Sequence, residues 1–586
     1  MTTSGAKILL GPMVRYVGED EATVWVETDA ACEVSVLGAS AKTFEVAGHH
    51  YAIVCIAGLE PGSHNEYEVA LDGERAWPEP GAEFPPSMIS TLEPGGKSDL
   101  VFASCRVALP HEDPYNLRKD QDERGREIDS IYVLALQMLE DDRSDFPEAI
   151  LMLGDQVYAD EVSPKVREFI EERRGGSEDD EDAAPLDEVA DFEEYTRLYW
   201  EAWSEPVIRW LLSTVSTSMI FDDHDVHDDW NISRSWVSDM RANPWWHDRI
   251  TGAFMSYWIY QHLGNLSPSD LAEDQIFKYV TEAPDGEVST RLLREFAVRA
   301  DREEAGTRWS FCRDIGGTRV IMMDSRGGRC LTPDRRSIFD DDEWDWITEH
   351  ATGDFDHLVI GTSLPFLLGQ GMHFFEAWNE AVCDGAWGGL AARAGEWVRR
   401  ELDLEHWAAF DRSFKRLVKL LEEVGSGKRG RPPASIVVIS GDVHHAYLAE
   451  VAFRREAGVE SGVYQATCSP MRNPLDESEK RMIRIGVSRF GHALARALAR
   501  SAGVEDPDIR WRFSEGPLFN NQVATLKIDG RESCLRLDKT VPPEEGEFHL
   551  ERVFDHALTP GWQEDERSRD TGGDADERAA AQAAAS

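Results

Sequence analysis

Six times between residues 100 and 445 a short apolar run breaks off onto small polar or ligand-type residues. LVFA precedes Ser104-Cys105, AILML precedes Gly154-Asp155, and SMIF precedes Asp222-Asp223-His224-Asp225. RVIMM precedes Asp324-Ser325-Arg326, LVIG precedes Thr362-Ser363, and SIVVIS precedes Gly441-Asp442-Val443-His444-His445. Runs this short and this apolar read as strands buried on both faces. Helical periodicity lies between several of them; IDSIYVLALQMLEDD places Ile131, Leu134, Met138 and Leu139 on one face. Buried strands alternating with helices predict a layered α/β domain whose functional loops lie at the carboxyl ends of the strands.

Four of those strand ends deliver Cys, Asp, Tyr or His toward what would be one sheet edge: Cys105, Asp155 with Tyr158, the 222–225 group, and Asp442 with His444. One such end read alone is a turn. Repeated, they form a ligand set, because several ionisable groups beside core strands are costly unless solvated or bound to cations. Carboxylate and imidazole suit hard or borderline cations, while thiolate and phenolate suit ferric iron. An aspartate from a central strand can bridge two cations, the usual device for activating water and clamping a phosphoryl group.

Residues 1–77 read differently. ATVWVETD and NEYEVALDGE alternate, YAIVCIAGL reads as buried strand, and turn signals such as LEPGSHN separate them, which predicts an all-β sandwich of the fibronectin III kind. The Pro- and Gly-rich stretch that follows sets the expected divisions: a sandwich over 1–93, a catalytic domain over 94–560 and a disordered acidic tail over 561–586. An acidic low-complexity insertion near 175–188 is expected to be disordered as well. The aromatic and Gly-rich segment 369–389 reads either as a wall over the site or as an ordinary packed loop, and no internal repeat is evident.

With 110 acidic against 61 basic residues the net charge is −49, so the overall field disfavours nonspecific binding to nucleic acid or to an anionic membrane. An anionic substrate would need cations and local arginines to reverse the sign inside the site. The eight cysteines contain no CxxC pair, which fits a reduced compartment. No long apolar segment, cleavage site or twin arginine opens the sequence, so a cytoplasmic location is expected.

FASCR, LMLGDQVYAD, FDDHDVHDDWN, VIMMDSR and ISGDVHHAYL together resemble the signature blocks of PhoD-like (alkaline phosphatase D) metallophosphatases, and GPMVRYVGEDEATVWVETD through YEVALDGERAWP resembles the sandwich that precedes their catalytic domain. The resemblance implies a phosphoesterase acting on small-molecule phosphate monoesters, diesters or both. It implies ferric iron held by Cys105, Asp155, Tyr158 and His444, with Asp155 bridging to a second cation, often calcium, held with Asp442. Mn, Mg or Zn would also suit that second position. Asp222 and Asp223 join the metal set, and His224 falls in the slot of the catalytic histidine. The sequence departs from the pattern at Asp225, where Glu is usual, and after Val226, so Asp223, Asp228 and Asp229 all remain candidates for the second cation.

Arg106 and His445 are expected at substrate. Arg326 reads either as a partner of phosphate oxygens or as an Arg tied to a neighbouring carboxylate, and Arg106 likewise as substrate ligand or structural ion pair. The alternatives to a phosphoesterase are a hydrolase of another bond type on the same metal scaffold and a noncatalytic metal-binding protein.

Overall fold

The apolar runs form strands of two mixed sheets packed face to face, all of them inner strands except Ser216–Ile220, which is at an edge. The protein is described by a computed structural model over residues 5–175, 182–303, 305–542 and 548–561. In the first sheet the strands Ser216–Ile220, Ala149–Leu153 and Ser98–Ala103 run parallel, and Ser98–Ala103 then pairs antiparallel with Gln522–Asp529, followed by Glu532–Val541 and His549–Ala557. The second sheet runs Phe311–Ile315, Thr318–Met323, His357–Thr362, Ser435–Ser440, Gly462–Thr467, Ala446–Phe453 and Ile509–Leu518, with a parallel centre.

Side-chain alternation explains why the central strands are apolar throughout. Val320, Val359, Val437 and Ile439 enter the core shared with the first sheet. Their neighbours Ile321, Leu358, Ile360, Ile436 and Val438 enter a second core on the opposite face. That face is covered by the helices Asp341–His350 and Asp411–Gly425, the latter burying Phe414, Leu417, Val418 and Leu421 at helical spacing. The first sheet is covered by the helix Ser130–Glu140, which buries Ile131 and Met138 as its periodicity predicts, while Leu134 and Leu139 are half-buried against the same core.

The N-terminal region forms two four-stranded antiparallel sheets, with Val14, Val24, Val26, Val54 and Ile56 between them. Its outward residues Met13, Trp25, Tyr51 and Ile53 are not solvated but join the core of the α/β region. The fully buried Arg15 fixes this contact, donating to the carbonyls of Thr217 (3.3 Å), Tyr260 (2.6 Å) and Gln261 (2.8 Å). Two of those carbonyls lie in a π-helical turn, Tyr257–His262. Gly264 is required beside it, because an added Cβ would lie 2.3 Å from the Arg15 guanidinium carbon.

Of the acidic insertion, residues 176–181 lie outside the described residues, as do 562–586 of the expected tail. The rest of the insertion is packed: Ala184, Leu186 and Val189 are buried, and Arg174 donates to the carbonyls of Ala184 and Pro185. Segment 369–389 is mostly helix, Gln370–Cys383, and not a loop.

His49 joins the sandwich to the α/β region between Glu27 (2.9 Å) and Glu193 (3.0 Å). Burial opposes its charge, but the hydrogen bonds it donates to the two carboxylates outweigh it and raise the pKa to about 9. A raised folded-state pKa contributes stability that is complete below the unfolded value of about 6.5 and is lost as pH rises through the folded one. The stability advantage of wild type over His49→Gln should therefore be largest below that value and vanish above pH 9. Chemical denaturation on both sides of the window checks this; an equal difference at both ends would show that the charge plays no part.

Candidate metal centre

The two Gly-Asp steps bring the strand ends together. A Cβ on Gly154 would lie 2.5 Å from that of Asp222, and one on Gly441 would lie 2.1 Å from Ser104 Oγ, so neither position accepts a side chain. Cross-links then join the loops: the Cys105 amide donates to the Gly154 carbonyl (3.2 Å), and the Asp442 amide to Ser104 Oγ (2.9 Å). Past these points the chain turns sharply, and Cys105, Asp155, Asp442 and His444 have φ of 58°, 52°, 67° and 49°. Each left-handed non-glycine residue stores roughly 1–3 kcal/mol, which only a tightly determined surrounding maintains.

Asp225 ties two of the loops. Its Oδ2 accepts the amides of both Asp155 and Asp222 (2.9 Å each), and its Oδ1 accepts Gln261 Nε2 (3.1 Å) from the π-helical turn. It orients the ligand residues and does not itself join the candidate ligand groups.

Ligand atoms of Cys105, Asp155 and His444 lie within 4.8 Å of one another; so do those of Asp155, Asp222 and Asp223, and those of Asp223, His224 and Asp228. Asp155 is common to the first two groups. Asp223 belongs to two groups, Asp228 to one and Asp229 to none among the described residues. Asp155 Oδ1 and Asp222 Oδ2 are buried and accept no hydrogen bond. Burial first, and then neighbouring carboxylates, push the pKa of both residues well above the usual range. Cys105 is pushed up for the same two reasons, with Asp155 and Asp442 as its neighbours, and its Sγ lies 3.2 Å from Asp155 Oδ2. Burial lowers the pKa of His444 to about 3, so its imidazole is neutral and can ligate. Tyr158 is buried, and its phenol oxygen accepts from Asn473 Nδ2 at 3.2 Å. Buried acceptors without partners beside a thiol, a phenol and a neutral imidazole fit cations.

Arg326 is fully buried inside this group. It contacts Asp222 and Glu405 directly and lies 3.1 Å from Asp223 and 3.6 Å from Asp442, the kind of carboxylate pairing that the second of its two sequence readings describes. Its guanidinium is a counter-ion to carboxylates, although its Nη2 makes no hydrogen bond among the described residues. Arg106 does likewise: it pairs with Asp129 (2.8 Å) and donates to the Ala202 carbonyl (2.7 Å), because Asp129 caps the helix Ser130–Glu140 beneath it. His445 turns from the carboxylates to the rings of Tyr447 and Phe519, and its Nδ1 engages the Val443 carbonyl (2.6 Å). The expectation that Arg106 and His445 meet substrate therefore finds no support in where their polar atoms go.

His224 is held from behind. Its Nδ1 meets Asp160 (3.0 Å), and its Nε2 lies 3.8 Å from Asp228 Oδ1. Burial opposes its charge, but Asp160 and Asp223 raise its pKa well above the ordinary value. Asp442 is held low despite burial by His406 (3.1 Å), which is itself paired with Glu376 (2.7 Å). Asp160, Glu405, His406 and Asn473 were not identified from sequence. Asp160 stands two residues after Tyr158 and could have been noticed, whereas Glu405 and His406 follow a helix in a segment with no strand-end signature.

Residues 131–281 match the family model described as PhoD-like phosphatase, and residues 5–89 match one described as a domain of unknown function, DUF7800. The solved structure entitled "Structure of PhoD" superposes with a TM-score of 0.56 at 12% identity, covering 95% of this chain and 92% of that one. Purple acid phosphatase PPD1 from yellow lupin (Lupinus luteus) seeds gives 0.44 at 10% identity, covering 90% and 71%. No curated protein matches. The packed mixed sheets, with acidic, histidine and cysteine side chains gathered at joined strand ends, define a layered α/β domain with a candidate metal site. More particularly, residues 131–281 are similar to PhoD-like phosphatases, and the chain has the fold of PhoD along nearly its whole length.

Replacing Asp225 by Ala leaves the amides of Asp155 and Asp222 without their partner, and an unsatisfied buried amide costs about 1–3 kcal/mol. Unfolding free energy should fall by several kcal/mol, and bound metal should fall with it although no ligand has been removed. Denaturant titration and elemental analysis check this; full metal content in a destabilised variant would show that Asp225 serves stability alone.

Proposed function

We propose that the protein is a metal-dependent phosphoesterase hydrolysing small phosphate monoesters, diesters or both. The observation that carries this reading is the pair of buried, unpartnered carboxylate oxygens on Asp155 and Asp222, with Asp155 common to two adjoining ligand groups. On this reading Cys105, Asp155 and His444, which form one ligand group, would hold ferric iron together with the buried Tyr158, and such a set suits an ion with affinity for thiolate and phenolate. Asp155, Asp222, Asp223 and Asp442 hold a second, harder cation such as calcium. When bound, the cations supply an activated water and neutralise charge on the phosphoryl oxygens.

The chain's own contribution is positioning. Asp160 fixes His224 through Nδ1 and leaves Nε2 to place the ester or to protonate the leaving alkoxide. Arg326 keeps Asp222 and Asp223 in place without competing for phosphate. Glu376 and His406 orient Asp442 in the same way.

Asp155→Asn should lose at least one metal and most phosphate release from a chromogenic ester while folding normally. Activity within a few-fold of wild type would place the bridge elsewhere. Chelation should abolish turnover, and metal-replete protein that releases no phosphate yet cleaves amides would favour another bond type. If Tyr158 ligates iron, concentrated protein should absorb in the visible range by charge transfer, and Tyr158→Phe should lose that band. A colourless wild type with stoichiometric iron would reject the phenolate ligand.

A further inference from the structure

The helices Glu477–Val487 and Arg489–Ser501 reverse the charge of the protein around them. Residues 477–501 hold six basic side chains against two acidic ones, in a chain of net charge −49. They also expose large apolar groups: Met482 is 62% accessible, Ile485 56%, Phe490 75% and Leu494 61%. Met482 and Ile485 are three apart on one helix and Phe490 and Leu494 four apart on the next, so each pair shares a face.

The two faces join. Ser488 Oγ donates to the Ile485 carbonyl and accepts the Gly491 amide, and an added Cβ on Gly491 would lie 2.3 Å from that same carbonyl oxygen. The inward face of Arg489–Ser501 is already satisfied, with Ala495 and Ala499 packed on Phe374, whereas Glu477–Val487 buries no residue. Soluble surfaces seldom carry contiguous apolar side chains rimmed by charge of one sign unless something docks there.

The basic groups are not all neutralised. Arg496 and Arg500 share Asp506, and Lys480 meets Glu477, but among the described residues no ion pair involves Arg481 or Arg489. Arg484 lies over the Phe519 ring (5.0 Å), which is 5.8 Å from the ring of His445, so this surface borders the candidate metal centre.

We propose that these two helices dock the protein on a lipid surface bearing anionic headgroups. Met482, Ile485, Phe490 and Leu494 enter the headgroup layer, and Arg481 and Arg489 meet the lipid phosphates. Exposed apolar side chains flanked by arginine are what an interfacial helix needs. A second copy of the chain would set the same basic groups against one another, and a nucleic acid would leave the four apolar groups without partners. The large net negative charge, which predicts no membrane affinity, is screened beyond about 10 Å at 0.1 M salt, so the local sign governs contact.

Full-length protein is tested by co-sedimentation with phosphatidylcholine vesicles, with and without phosphatidylglycerol, at low and raised salt. Binding is expected only with the anionic lipid and should weaken with salt. The exposed double variants Phe490→Ser/Leu494→Ser and Arg481→Glu/Arg489→Glu should each bind about tenfold more weakly. Tyr279→Ser, which removes an exposed ring on another helix, should bind as wild type. All three variants should keep wild-type thermal midpoints. Absence of anionic-vesicle binding, or equal binding by the Phe490/Leu494 variant, would overturn the proposal. So would a concentration-dependent dimer that this variant abolishes, since the face would then belong to a second copy. The vesicle readout does not depend on what the metal centre hydrolyses.

Discussion

Gathering Asp155, Asp222, Asp223 and Asp442 at the ends of adjoining strands, with Glu405 brought in from a segment between helices, creates a charge imbalance that the rest of the α/β domain is built to hold. One guanidinium, that of Arg326, touches four of them, and Arg329 reinforces it from Glu405 (3.3 Å). A carboxylate removed from water without a partner is expensive, and Arg326, Arg329 and His406 together do not balance five such groups. The remaining deficit is what makes the site a place for cations. It also explains why each ligand loop is clamped from several sides, through Asp225, Ser104, Asp160 and the Glu376–His406 pair.

The same economy of buried polar groups explains how the N-terminal sheets attach. Arg15 takes three carbonyls in the α/β region, and Tyr67 donates to the Ser213 carbonyl at 2.7 Å. The π-helical turn that offers two of those carbonyls also sends Gln261 to Asp225. A chain of direct contacts thus runs from the sandwich core to the amides of Asp155 and Asp222.

The sheets and the strand-end residues were legible in the sequence because both faces of the central strands are buried, so each reads as an unbroken apolar run ending at a turn. The Gly-Asp steps were legible for a related reason: only glycine permits the approach seen at Gly154 and Gly441. What could not be read was the destination of long polar side chains. Arg106 and Arg326 follow strands in the same way, yet the first serves a helix cap and the second the carboxylates, and only tertiary packing decides between them. Glu405 and His406 gave no signal because they reach the site from a segment between helices. The acidic insertion read as featureless from composition, although Leu186 and Val189 within and beside it find apolar partners.

The position of Ser98–Ala103 within its sheet has a consequence for synthesis. This strand carries the chain to Cys105, yet one of its two neighbours is Gln522–Asp529, more than four hundred residues later. Until that partner leaves the ribosome, the strand presents an open edge next to Ala149–Leu153, and Asp442 and His444 have themselves only recently emerged. Contacts of such long sequence separation form late, after loop closure has been completed. The strand that leads to Cys105 is therefore completed on both sides only when the last part of the chain arrives to close the sheet.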